Sequence, residues 1–124
     1  MIRVFIPALL LLASPAMAQT QAKMTADAGS DSKTADAAMT VQWRSIYAAM
    51  KQRDAADTSR CGGFGYAAAT LASQRAWIAF RDKQCVIEAG QYAGGSMQPM
   101  VRAQCLTRLT KERTRQLAAL DWNH

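Results

Sequence analysis

Three cysteines, Cys61, Cys85 and Cys105, and one histidine, His124, are the residues with the most distinctive chemistry to offer in this chain. The histidine is the last residue, where chain ends are seldom held in place for catalysis. No Cys-x-x-C motif is present for thiol redox chemistry or haem attachment. A closed zinc site needs four ligands, and no histidine stands near the cysteines. Asp82 and Glu88 are six residues apart, so on one helix they do not face each other as an acid–base pair. The sequence therefore predicts no catalytic residue, no metal and no cofactor. What the cysteines can do is crosslink. Cys85 and Cys105 are each ten residues from Gly95, so in a helical hairpin that turns at this glycine they lie at the same height. A disulfide needs Cα atoms within roughly 7 Å, which adjacent helices offer when both cysteines face inward. Cys61 is then the odd one, either a free thiol in a loop or a bridge to another chain.

The bridge requires an oxidising compartment, and the start of the chain supplies one. Arg3, the apolar run "VFIPALLLLA" and the small residues Ala16 and Ala18 read as a secretory signal peptide, 1–18, cleaved after Ala18. The apolar run is too short for a comfortable membrane span, and no later stretch is apolar enough to be one. The expectation is a soluble periplasmic or secreted protein. Without Arg3 the 15 basic residues fall to 14 against 9 acidic, net +5. A basic domain can meet nucleic acid, an anionic envelope surface or an acidic protein. Export argues against nucleic acid, and the even spread of the basic residues reads as solvated helix faces.

The elements that would position the cysteines follow from periodicity. Residues 19–33, "QTQAKMTADAGSDSK", are polar and small and read as a flexible linker. Met39, Trp43, Ile46, Tyr47 and Met50 form a stripe of helical period within a first helix from about Thr34 to Asp57. "TSRCGGFGY" breaks it with three glycines. A second helix, from about Tyr66 to Tyr92, is apolar on two sides: Leu71, Ile78 and Cys85 on one, with Trp77, Phe80 and Ile87 partly outside it. Such a helix is expected at the centre of the domain. A third begins near Ser96, an N-cap candidate, with Pro99 in the first turn and Leu106, Leu109, Arg113, Leu117 and Leu120 at helical spacing. Trp43 and Trp77 are expected in the core; Arg81, Glu88 and Arg113 are expected near helix interfaces as a polar network that sets register. The fold class is all-α, a small three-helix assembly with a disulfide-stapled antiparallel helical hairpin, and a tail at 121–124.

"ASQRAWIAFRDKQC", "EAGQYAGGSMQPM" and "CLTRLTKERTRQLAAL" resemble the N-terminal domain family of the LprI lysozyme inhibitor. The likeness covers about Asp36 to Leu120, so the domain is set at 34–120, and it is strongest from Leu71 onward. It is carried by Gln74, Arg75, Ala76, Trp77, Phe80, Arg81, Asp82, Cys85, Gly94, Gly95, Ser96, Cys105, Leu109, Thr110, Arg113 and Thr114. The resemblance implies an exported helical domain, the Cys85–Cys105 disulfide, and inhibition of a lysozyme by binding, with no catalytic residue. The chain departs from the family in lacking cysteines before Cys61 and in the segment "SRCGGFGY".

Because loops carry function more often than helix bodies, two connections are the expected partner contacts. One is Cys61, Gly62, Gly63, Phe64, Gly65 and Tyr66; the other is Gly94, Gly95, Ser96 and Met97. The expected partner is a lysozyme or another envelope protein, and the sequence leaves the oligomeric state open.

Overall fold

A computed structural model describes residues 15–58 and 63–122. Three helices run in chain order, α1 (Pro15–Ala56), α2 (Tyr66–Gly90) and α3 (Gln98–Ala118), with no strand among the described residues. The expected signal peptide falls mostly outside them, as do Cys61, Gly62 and His124.

The main correction concerns α1. The stretch 19–33, expected to be a flexible linker, is part of this helix. Its small residues conceal a helical contact face. Ala28, Ala35 and Met39 follow one another at spacings of seven and four, and all three are buried. Alanine is the strongest helix former and its methyl allows close approach, so polar composition did not prevent packing.

One cluster of the core gathers Met39, Ile46 and Met50 of α1 around Leu117 of α3, with Trp43, Tyr66, Ala67, Trp77 and Leu120 half-buried against it. Nearer the hairpin turn, Cys85, Ala89, Met100 and Cys105 are buried. The most extensive packing is between α1 and α3, and α3 touches both other helices. The expectation that α2 is central therefore fails. Its inner side packs through Thr70, Gln74, Cys85 and Ala89. Phe80, Val86 and Ile87 remain in solvent, being 55%, 57% and 71% exposed. The second apolar side of α2 thus has no partner within the domain.

The α2–α3 hairpin is closed by Cys85–Cys105, with a Cα–Cα distance of 5.5 Å. The turn continues in tight helical-type hydrogen bonds, from Tyr92 N to Ala89 O through Gln98 N to Gly95 O. Ser96 therefore stays inside the turn, and the N-cap of α3 is Met97, not Ser96. Pro99 lies in the first turn, where its missing N–H costs no hydrogen bond.

Candidate functional site

The two expected contact segments do not form one site within a chain. They bracket α2, whose 25 residues hold them about 37 Å apart at 1.5 Å per residue.

The segment at the start of α2 is built by α1. The Asp54 carboxylate accepts from the backbone N–H groups of Tyr66 and Ala67, at 2.6 and 2.8 Å. This caps α2 with a negative charge at its positive end. The residue at the N-cap position itself is Gly65, in the left-handed region at φ 86°, and it has no side chain to do so. Phe64 N–H donates to Asp57 Oδ2 at 3.3 Å. Gly63, at φ 97°, lies so close to α1 that a Cβ there would come within 3.0 Å of the Asp57 carbonyl oxygen. The glycines thus let the chain turn tightly against the end of α1 while Phe64 is held 62% exposed.

Aromatic rings and one cation gather on this end. Phe64 and Tyr66 rings lie 4.8 Å apart, and Tyr66 meets Trp122 edge-on at 6.1 Å. The Arg53 guanidinium sits 4.8 Å from the Trp122 ring and 5.5 Å from the Tyr66 ring. Trp122 thereby docks back from beyond α3 while keeping half of its surface in water. Two to three turns further up α1, Trp43 stacks on Tyr47 at 5.0 Å, and the Lys51 ammonium lies 4.3 Å from the Tyr47 ring. Arginine and large aromatics are the residue types that carry most binding energy at protein interfaces. Sequence reasoning chose Phe64 and Tyr66 but missed Arg53, Asp54 and the place of Trp122 beside them; no spacing signal linked residues brought together from α1, the start of α2 and the chain beyond α3.

The other segment is plainer. Gly94, at φ 79°, permits the reversal, and its N–H donates to the Gln98 side-chain carbonyl at 3.2 Å. Gly95 N–H donates to Tyr92 O at 2.9 Å. Residues 91–97 are exposed throughout. Below the turn, Arg108 of α3 donates to both carboxylate oxygens of Glu88 on α2 at 2.8 Å. That hydrogen bonding, with a further one from Gln84, holds the Glu88 carboxyl below the usual glutamate range.

Between the ends a polar network fixes the helices in register. Arg81 donates to Asp36 of α1 at 3.0 Å, to the neighbouring Asp82 at 2.9 Å and to Thr110 of α3 at 3.3 Å. The buried Arg113 donates to Gln74 and Ser73, both at 3.0 Å, and to Gln116 at 3.3 Å. Both guanidinium groups lie near Trp77, at 5.1 and 5.9 Å from its ring. Burial pulls the Arg113 guanidinium below its ordinary range. Arg81 and Arg113 are thus interface residues as expected. Trp77 is the half-buried surface between them, and Trp43 is likewise half-buried, so neither lies deep in the core.

An open groove of about 580 Å³ also runs between α1 and α3. Asp27 and Asp31 stand on its α1 wall, Arg108, Lys111 and Arg115 on its α3 wall, and Met24, Ala28 and Met100 among its apolar lining. Sequence reasoning could not find it, because its α1 wall was read as a linker. Among the described residues no three His, Cys, Asp or Glu side chains converge to hold a metal ion, and no helix is long and apolar enough to cross a membrane.

These features define a small all-α domain, pinned by one disulfide, with a polar network between its helices and aromatic and basic side chains at one end. The chain belongs to the LprI family, described as "Lysozyme inhibitor LprI", which matches residues 13–117. The match takes in all of α1 and so extends the likeness upstream of Asp36. An uncharacterised protein of Rhizobium meliloti (strain 1021) is 36% identical over 107 residues, covering 83% of this chain and 75% of that protein. No solved structure matches.

Proposed function

We propose that this protein is exported by its N-terminal signal peptide to the periplasm or beyond, and there inhibits a lysozyme by binding it, without chemistry of its own. Membership of the LprI family is the observation that carries the reading. The rigid bundle supports it: capping, disulfide and ion pairs fix both ends of α2, so few degrees of freedom remain to be lost on association.

The contact surface is assigned to the α1–α2 end, from Cys61 to Tyr66, extended by Arg53 and Trp122, with Gly94 to Met97 as a second contact. Exposed Phe64 and the Arg53-backed Trp122 offer apolar area beside a cation. Glycoside hydrolysis is done by two carboxyl groups in a cleft, and a guanidinium presented with flat aromatic surface suits such a cleft. The mature chain's net charge of +5 opposes long-range approach to a lysozyme that is itself basic. The association rate with such an enzyme should therefore rise with added salt, unlike a steered complex. Titration calorimetry against a panel of lysozymes tests the reading. Binding that a cleft-filling oligosaccharide abolishes, and that Phe64→Ala weakens, is the expected result. Binding to envelope components but to no lysozyme would replace it with an interaction module of another kind.

A further inference from the structure

The outer side of α2 has a pattern that the fold leaves unused. Ala69, Ala72, Ala76, Ala79, Lys83 and Val86 repeat at alternating spacings of three and four, and every one of them is exposed. That is the seam spacing of a two-helix coiled coil, drawn mostly in residues small enough for close helix approach. The small residues alone would decide nothing. Beside them stand Phe80 and Ile87, seven apart on the same flank, 55% and 71% exposed. The opposite flank carries one charge of each sign, Arg75 and Asp82, also seven apart.

We infer that this face is a dimer interface, on which α2 of a second copy of this chain packs antiparallel about a two-fold axis level with residues 77 and 78. Charge selects this occupant and this register. In an antiparallel pair each flank meets the same flank of the partner. Arg75 then lies across from Asp82 of the second copy, and Asp82 from Arg75 of the second copy, so one contact generates two ion pairs, as an isologous interface requires. In a parallel pair in register the opposite flanks would meet, setting Arg75 against Phe80 and Asp82 against Ile87 of the second copy, with no ion pair formed. The antiparallel register also sets Ala76 against Ala79 of the second copy, Ala69 against Val86, and Ala72 against Lys83, whose alkyl stem covers the alanine while its ammonium reaches water. On the other flank the two Phe80 rings meet next to the axis. Asp82 remains available, because its carboxylate is 49% exposed while it accepts from Arg81.

The pairing places Tyr66, at the start of α2, level with Ala89, near the end of α2 of the second copy. The two glycine-rich segments that one chain holds at opposite ends of α2 are thereby brought together across the dimer, once at each end. The dimer stands without the lysozyme reading; under that reading it joins both proposed contacts into one composite surface.

Sedimentation equilibrium on the mature chain, with Cys61→Ser to remove any disulfide between chains, tests the inference. The expected result is a reversible dimer at about 100 μM. Ala76→Glu should weaken it more than about tenfold by placing a charge in the seam. Its thermal unfolding at low concentration should be unchanged, because Ala76 is exposed in the single chain. Arg75→Glu and Asp82→Arg should each weaken the dimer, and an equimolar mixture of the two should restore it, since only the mixed pair matches charge on both contacts. A monomeric mass at that concentration would overturn the inference. So would a dimer indifferent to Ala76→Glu, or a mixture no tighter than its components.

Discussion

Replacing both bridging cysteines by alanine isolates the part of the fold that holds the α2–α3 hairpin. Cys85 and Cys105 are separated by 20 positions and their Cα atoms lie 5.5 Å apart. Closing a loop of this size removes unfolded-chain entropy equivalent to about 3 kcal/mol. Both residues are nearly fully buried, 0% and 3% exposed, so loss of the sulfurs also leaves a small void costing about 1 kcal/mol more. Cys85→Ala/Cys105→Ala should therefore lose about 4 kcal/mol of unfolding free energy, a fall in Tm of roughly 20 °C for a domain of this size. The assay is urea denaturation followed by circular dichroism. The m-value should rise as well, because the unfolded chain without its bridge exposes more surface. A loss under about 1 kcal/mol with an unchanged m-value would refute the reasoning, since the bridge would then constrain neither state.

The remaining predictions probe other joints of the bundle. Arg113→Ala should destabilise by about 2–4 kcal/mol, by stranding Gln74 in the interior and leaving a void where the arginine stem packed, while Arg113→Met should refill the void and recover only part of the loss, because Gln74 Oε1 still lacks its donor. Urea melts of the two variants compare them. Asp54→Ala should cost about 1–2 kcal/mol and speed hydrogen exchange at the Tyr66 and Ala67 amides, with Asp54→Asn intermediate. Amides of residues 21–33 should show slow exchange in native-state measurements, since they lie in α1 against α3; exchange within seconds would return this segment to a linker.

Much of this architecture was legible in the sequence, and the misses share a physical cause. Met39, Ile46 and Met50 announced α1 because large apolar residues at helical spacing contrast with polar neighbours. The hairpin was legible because two cysteines equidistant from a glycine admit a simple geometry. The upstream half of α1 was hidden because alanine buries little area and gives no such contrast, although Ala28 and Ala35 are as buried as Met39. On α3 the leucine stripe misled in part. Leu106 and Leu109 are half-buried, whereas Thr110 and Arg113 face inward, because the α2 side of the interface is polar at Gln74 and Arg81. For α2, apolar content was read as a need for two neighbours within one chain, and the structure supplies only the inner set. At the candidate surface, Phe64 and Tyr66 stood out as aromatics in a loop. Arg53 and Trp122 join them only through tertiary contacts across residues 53–122, which no local pattern encodes.

The most direct test of the central claim is a lysis assay, in which the turbidity of a bacterial cell-wall suspension is followed as a lysozyme clears it in the presence of the purified mature chain. Slower clearing that saturates with added protein, and that is relieved when Phe64→Ala replaces the native chain, is the predicted result. Clearing at an unchanged rate for every lysozyme tried, with the protein folded and present at roughly 100 μM, would contradict it.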